Sequence, residues 1–196
     1  MAFIGMRHIV CAELESHTPG AEPTYETGLD VGGAIRGALT INRNNNGQYY
    51  DDVLGEDDNG IVSFEIELEL NDISEEVQAY MGILKEVTAG TPSVTTYYDT
   101  SASTKPVGFG YMRVRRLHDV TSYQAVWFYK CQFSKNNESS QTKAESIEWQ
   151  NTTISGKCSG LAVTGDGEYS FRKMQNFTTA AAAAAWLDAL AGISRT

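Results

Sequence analysis

The chain predicts a mainly β domain, a sandwich or barrel-like pair of sheets with two short helices, and three observations carry that expectation. The run IVSFEIELEL alternates: Phe64, Ile66, Leu68 and Leu70 point one way, and Glu65, Glu67 and Glu69 the other. VGFGYMRVRRL (107–117) and TSYQAVWFYKCQFS (121–134) read as two further strands around a short turn at His118 and Asp119. Eighteen glycines against four prolines favour many turns over rigid linkers. At 196 residues, 41% of them hydrophobic and 10% aromatic, the chain fills one domain with a real core.

Taken in order, residues 28–41 end in a short strand with Ile35, Gly37, Leu39 and Ile41 on one face, followed by a long connection at 42–60. After the alternating strand the period switches. Asp72 is an N-cap with Glu75 as its capping-box partner, Ile73, Val77, Tyr80 and Met81 share a helical face, and Gly82 ends the helix. Residues 85–105 read as a polar surface loop. In the strand 121–134, Tyr123, Ala125, Trp127, Tyr129, Cys131 and Phe133 share one face, while Val126 and Phe128 on the other imply burial on both sides. The face from Phe64 to Leu70 is expected to pack under Trp127 and Tyr129. Residues 146–158 are again strand-like. The alanine-rich segment 178–191 is the strongest helix former, capped by Thr178 or Thr179, stopped by Gly192, and anchored by Trp186, Leu187 and Leu190.

The charge balance, 25 acidic against 15 basic residues, gives −10 and argues against phosphate-backbone binding. Cys11, Cys131 and Cys158 are an odd set without a CxxC pair and read as reduced, partly buried thiols. The first residues lack the pattern of a secretory leader and no run of 18 apolar residues occurs, so a soluble protein made in the cytoplasm is expected. His8, His17 and His118 have no zinc spacing. The acidic segment fails the EF-hand template: Gly60 at position 6 puts Gly55 first and Ile66 last, and Gly47 there puts Asn42 first and Val53 last. No GxSxG elbow or phosphate loop is present, and GFGYMR has Arg113 where a dinucleotide fingerprint needs glycine. Neither an enzyme nor a cofactor or metal requirement is expected.

Two segments remain. NNNGQYYDDVLGEDDNG (44–60) carries many carboxylates and few core residues. RVRR places Arg113 and Arg115 on one strand face beside Arg116. Two readings stand for these arginines: pairing with acidic residues of another subunit, or a solvated face with local partners.

Across nearly its whole length the chain resembles the major tail protein, or tail tube protein, of long-tailed, non-contractile bacteriophages. The resemblance rests on AFIGMRHIVCAEL, on ALTINRNNNGQYYDDVLGEDDNG running into FEIELELNDISEEV, and on VGFGYMRVRR with SYQAVWFYKCQFS. QTKAESIEWQNTTISGK and the closing FTT and AWL continue it in order and spacing. It implies a tail-tube-type β-sandwich or half-barrel with a flanking helix, a C-terminal helix and long extended loops. The resemblance also implies that six copies form a ring and that rings stack into a hollow tube around a tape-measure protein, bounded by tail terminator and distal tail or baseplate proteins. On the same resemblance, genomic DNA is expected to pass through the lumen without specific binding. The implied location is the virion tail, assembled in the host bacterial cytoplasm without a membrane anchor.

On that resemblance Glu65, Glu67 and Glu69 are expected to face the lumen, in a ring whose six copies carry about −60. Residues 44–60 become a ring-stacking loop. Tyr49, Tyr50, Val53 and Leu54 form its apolar anchor, and Asp51, Asp52, Glu56, Asp57 and Asp58 seek Arg43 or the cluster Arg113, Arg115 and Arg116 across the ring seam. Such a polar segment is expected to order only against a neighbour. A type VI-like secretion tube subunit and a stand-alone β-sandwich binding module holding calcium are the alternatives.

Overall fold

The computed structural model describes residues 2–44, 46–50, 53–58, 60–135 and 151–195. The chain opens with β1 (Ala2–Ser16), β2 (Thr24–Tyr25), β3 (Leu29–Gly32) and β4 (Ala34–Arg43), then β5 (Asn46–Tyr50), β6 (Val53–Asp58) and β7 (Ile61–Leu70). Helix α1 (Glu75–Tyr80) leads to β8 (Leu84–Ala89), β9 (Val94–Asp99), β10 (Val107–Leu117) and β11 (Val120–Lys135). Strands β12 (Thr152–Ser159) and β13 (Arg172–Phe177) precede helix α2 (Ala180–Ala191). The fold is mainly β, as the alternating segments imply.

One antiparallel sheet dominates, in the order β1-β10-β11-β12-β7-β4. It rolls on itself because β3 pairs the outer edge of β1 while β4, only Gly33 later, pairs β7. Gly32 makes that bend at φ +108°, a conformation that costs glycine little, and Asn71 N–H donates to the Gly33 carbonyl at 3.1 Å. Ile9, Cys11, Phe64, Ile66, Leu68, Leu70, Phe109, Phe128, Phe133 and Ile154 fill the interior. Helix α1 adds Val77 and Met81 to the same core.

A second layer lies outside β1, β10 and β11. There Val10, Ala12, Ala125, Trp127 and Tyr129 meet Ala183, Leu187 and Ala191 of α2. The helix forms as its sequence dictates: Thr179 Oγ1 accepts from Ala182 N–H at 3.2 Å, and Gly192 ends it at φ +65°. The sheet offers it a shallow bed, since any side chain at Gly110 would press on Trp127 and Leu187.

Several expectations change. Helix α1 is capped by Ser74, whose Oγ accepts from Val77 N–H at 3.3 Å, and not by Asp72; Glu75 is therefore in the first turn. Residues 85–105 are not simply a loop, because β8 and β9 form a hairpin whose Thr, Val and Tyr content suits strands. Its residues are mostly exposed on both faces, which hides it from a periodicity search. The connection 42–60 likewise contains the paired strands β5 and β6.

The shared face in β11 does not persist. Phe109 pairs with Phe128 but Val107 with Cys131, so two steps of β10 oppose three of β11. That extra residue is a β-bulge, and it reverses the inside–outside order beyond Tyr129. Trp127 and Tyr129 consequently face α2, whereas Cys131 and Phe133 face the interior. The Phe64 ring packs on Phe128, with centroids 5.6 Å apart, and not under Trp127. The bulge also brings Cys131 directly opposite Cys158 on β12, where the two form a disulfide, so only Cys11 of the three is a free thiol.

Candidate functional site

The outward face of β4, β7, β12 and the end of β11 is polar, and pairing registers set its rows. Arg36, Glu69 and Thr153 align in the first row, and Ala38, Glu67, Ser155 and Ser134 in the second. Thr40, Glu65, Lys157 and Gln132 make the third. Glu65 and Glu67 are exposed and Glu69 is half-exposed. The three carboxylates thus stand in a line about 7 Å apart, two residues at a time along one strand. Each outer one faces a cation position, Lys157 beside Glu65 and Arg36 beside Glu69, an arrangement that favours sheet pairing.

Amide donors orient the same row. Asn42 Nδ2 donates to Glu65 Oε1 at 2.9 Å, and Asn151 Nδ2 to Glu69 Oε1 at 2.7 Å. A shallow cleft of about 300 Å³ crosses the face between Thr40, Glu65, Glu67, Gln132, Ser134 and Lys157. Beyond it, among the described residues, no strand pairs with the outer edge of β4. Ile35 and Ile41 are exposed on β4, and Ile61 and Val62 at the start of the neighbouring β7. Among the described residues, no group of three His, Cys, Asp or Glu is arranged to hold a metal ion.

The sequence-derived stacking segment continues the β4–β7 ladder, with Asn44 N–H donating to the Gly60 carbonyl at 2.8 Å. Tyr49 lies opposite Leu54 and Tyr50 opposite Val53, while Gln48, Gly47 and Asn46 oppose Glu56, Asp57 and Asp58. Asp51 and Asp52 lie outside the described residues.

The basic residues are more local than their sequence suggests. Arg113 donates to Gln124 Oε1 through Nε at 2.9 Å and Nη2 at 2.6 Å, and burial pushes its pKa down from the ordinary arginine value. Arg116 bridges Asp119 at 3.0 Å across the β10–β11 turn. Arg115 lies opposite Ser122, and Arg43 opposite Ile61. Strand directions place Arg43, the β5–β6 hairpin and the β10–β11 turn at one end of the rolled sheet, with α1 and the β8–β9 hairpin at the other.

One polar network has no signal in the sequence, because its members are far apart in the chain. His8 Nε2 and Asp188 Oδ1 are 2.8 Å apart, Arg195 Nε donates to Asp188 Oδ2 at 2.9 Å, and Arg195 Nη2 reaches Asp30 Oδ2 at 3.0 Å. The network ties α2 to β1 and β3.

Compared with known proteins, the chain matches no family model and no curated sequence at a significant level. Among the described residues, no helix is long and apolar enough to cross a membrane.

Proposed function

We propose that this chain is the tube-forming subunit of a long, non-contractile phage tail, built as six-membered rings that stack around a tape-measure protein. The observation that carries the proposal is the exposed, carboxylate-bearing face of β11, β12, β7 and β4, ending at β4, whose outer edge pairs with no strand among the described residues. A neighbour's strand laid along that edge would continue the sheet.

Dimensions support this arrangement. Four strands at ~4.8 Å spacing give each copy ~19 Å of wall, so six copies enclose a bore of roughly 37 Å between backbones before strand tilt. Such a bore is wider than a B-form duplex. Carboxylates on its wall repel phosphates, and neither Lys157 nor Arg36 stands alone to hold the backbone, since each lies beside a glutamate. DNA therefore moves through without being gripped.

Negative-stain microscopy of the purified full chain tests the reading. Six-fold rings or tubes are the expected particles. A chain that remains monomeric at every concentration and salt condition would overturn it.

A further inference from the structure

The rolled sheet does not close completely. Where the first half of β1 approaches β4, the two strands do not pair among the described residues, and a cavity of about 280 Å³ lies between them. Met6, Leu39 and Ile66 make its apolar wall, and Tyr111, Arg113 and Arg36 bring its polar groups. Met6 lies over Gly37, where any side chain would collide with its methyl. Among the described residues, no Asp or Glu lines the cavity. Glu65 and Glu67 flank Ile66 in sequence but stand on the opposite, outward face of β7. Glu69 lies opposite Arg36 across the β4–β7 pair and gives that guanidinium a local counter-charge. The cavity is therefore lined by cations, one phenol and apolar surface.

Tyr111 is only 4% exposed, yet its hydroxyl forms no hydrogen bond with any described residue. Among the described residues, the one buried side-chain polar atom shut off from solvent without a partner is Gln78 Oε1, so the Tyr111 hydroxyl stands where a small molecule reaches it. A buried donor in that position favours an occupant that accepts from it. Arg113 follows on the same face of β10. Gln124 Oε1 accepts from its Nε at 2.9 Å and its Nη2 at 2.6 Å, and Gln124 Nε2 donates to Asn176 Oδ1 at 3.1 Å. These amides orient the guanidinium and bring no charge of their own. Arg172 lies over the rings of Phe64 and Phe128, at 4.9 and 5.8 Å, and no carboxylate of a described residue bridges it. Burial raises the Tyr111 pKa while Arg113 and Arg172 pull it down, so both guanidiniums act on the hydroxyl. The local field is positive in a chain of net charge −10.

We propose that this cavity is a carboxylate-binding site. The anion accepts a hydrogen bond from the Tyr111 hydroxyl and lies against the Arg113 guanidinium, while a short aliphatic stem fills the space beside Met6, Leu39 and Ile66. A singly charged carboxylate suits one phenol and one oriented guanidinium, and the apolar wall favours an organic acid over a bare inorganic ion. Two sources carry the same chemistry: a free small carboxylic acid, or an Asp or Glu side chain of a second copy of this chain. The site does not depend on the tube-subunit reading.

Thermal melting of the full chain in sodium butyrate, against sodium chloride at the same ionic strength, tests the site. The melting temperature is expected to rise with butyrate concentration and not with butanol, which has the stem without the charge. Tyr111→Phe removes only the hydroxyl, so it is expected to melt like the native chain in chloride and to bind butyrate about tenfold or more weakly. Arg113→Gln, its fold checked by circular dichroism, is expected to lose the butyrate effect altogether. Sedimentation of the native chain with and without saturating butyrate separates the two sources. Assemblies that butyrate disperses put a second copy's carboxylate in the cavity, whereas association that butyrate leaves unaltered assigns a free acid. No rise over chloride overturns the proposal, and so does an equal rise in Tyr111→Phe. Neither result bears on the tube-subunit reading, which six-fold rings decide separately.

Discussion

Cys11, wholly buried between β1 and the interior, has its thiol pKa pushed up to about 12 by burial, with Asp30 adding to the rise and a backbone contact at Leu29 opposing it. Tyr129 rises to about 12, chiefly through burial and then through Glu22, and Tyr25 is raised in the same way. All three are acids that the folded chain holds neutral. Unfolded, the cysteine loses its proton near its ordinary value of 9.0, so above that pH the unfolded state binds fewer protons than the folded one. Stability is therefore fully present below pH ~9 and falls as pH rises toward about 12. Melting followed from pH 7 to 11 is expected to show a plateau and then a decline, and Cys11→Ala is expected to flatten the decline. A melting temperature constant to pH 11 would contradict this.

Helix α2 joins its apolar packing to a few polar contacts. Its apolar residues are largely alanines, which contribute little area each, and Asp188 supplies the contact that fixes it to β1 and β3. Asp188→Ala leaves His8 and Arg195 without this partner and is expected to cost about 1–3 kcal/mol. Chemical denaturation of the variant measures that loss, and a change within error of zero would remove the network from the account. The same element illustrates what the sequence could disclose. Helix α2, strand β7 and the β10–β11 turn were legible because each is written locally, in alanine content and caps, in strict alternation, and in a short polar break between strand-like runs.

What escaped was written at a distance. The bulge in β11 exists only against β10, and with it went the inward turn of Cys131 and the disulfide to Cys158. The β8–β9 hairpin has exposed residues on both faces, so neither alternation nor an apolar run marks it. His8 and Asp188 are 180 positions apart, beyond any spacing rule. Of the candidate site, the Glu65, Glu67 and Glu69 row was legible from period two alone. Its pairing with Arg36 and Lys157 required the strand order.

At the scale of the whole molecule the charge is unevenly placed. A line of carboxylates lies on one sheet face, while the two ends carry both signs: Glu76 and Glu86 with Lys85 and Lys105 around α1, and Arg115 and Arg116 with Asp119 at the β10–β11 turn. The carboxylate-bearing face suits a conduit for an anionic polymer and serves the tube-subunit proposal. Image reconstruction of the assembled particle by electron cryomicroscopy tests it most directly. The account predicts six copies per ring with Glu65, Glu67 and Glu69 lining the bore; the same row on the outer wall, at a subunit seam, or in a particle without six-fold rings would contradict it.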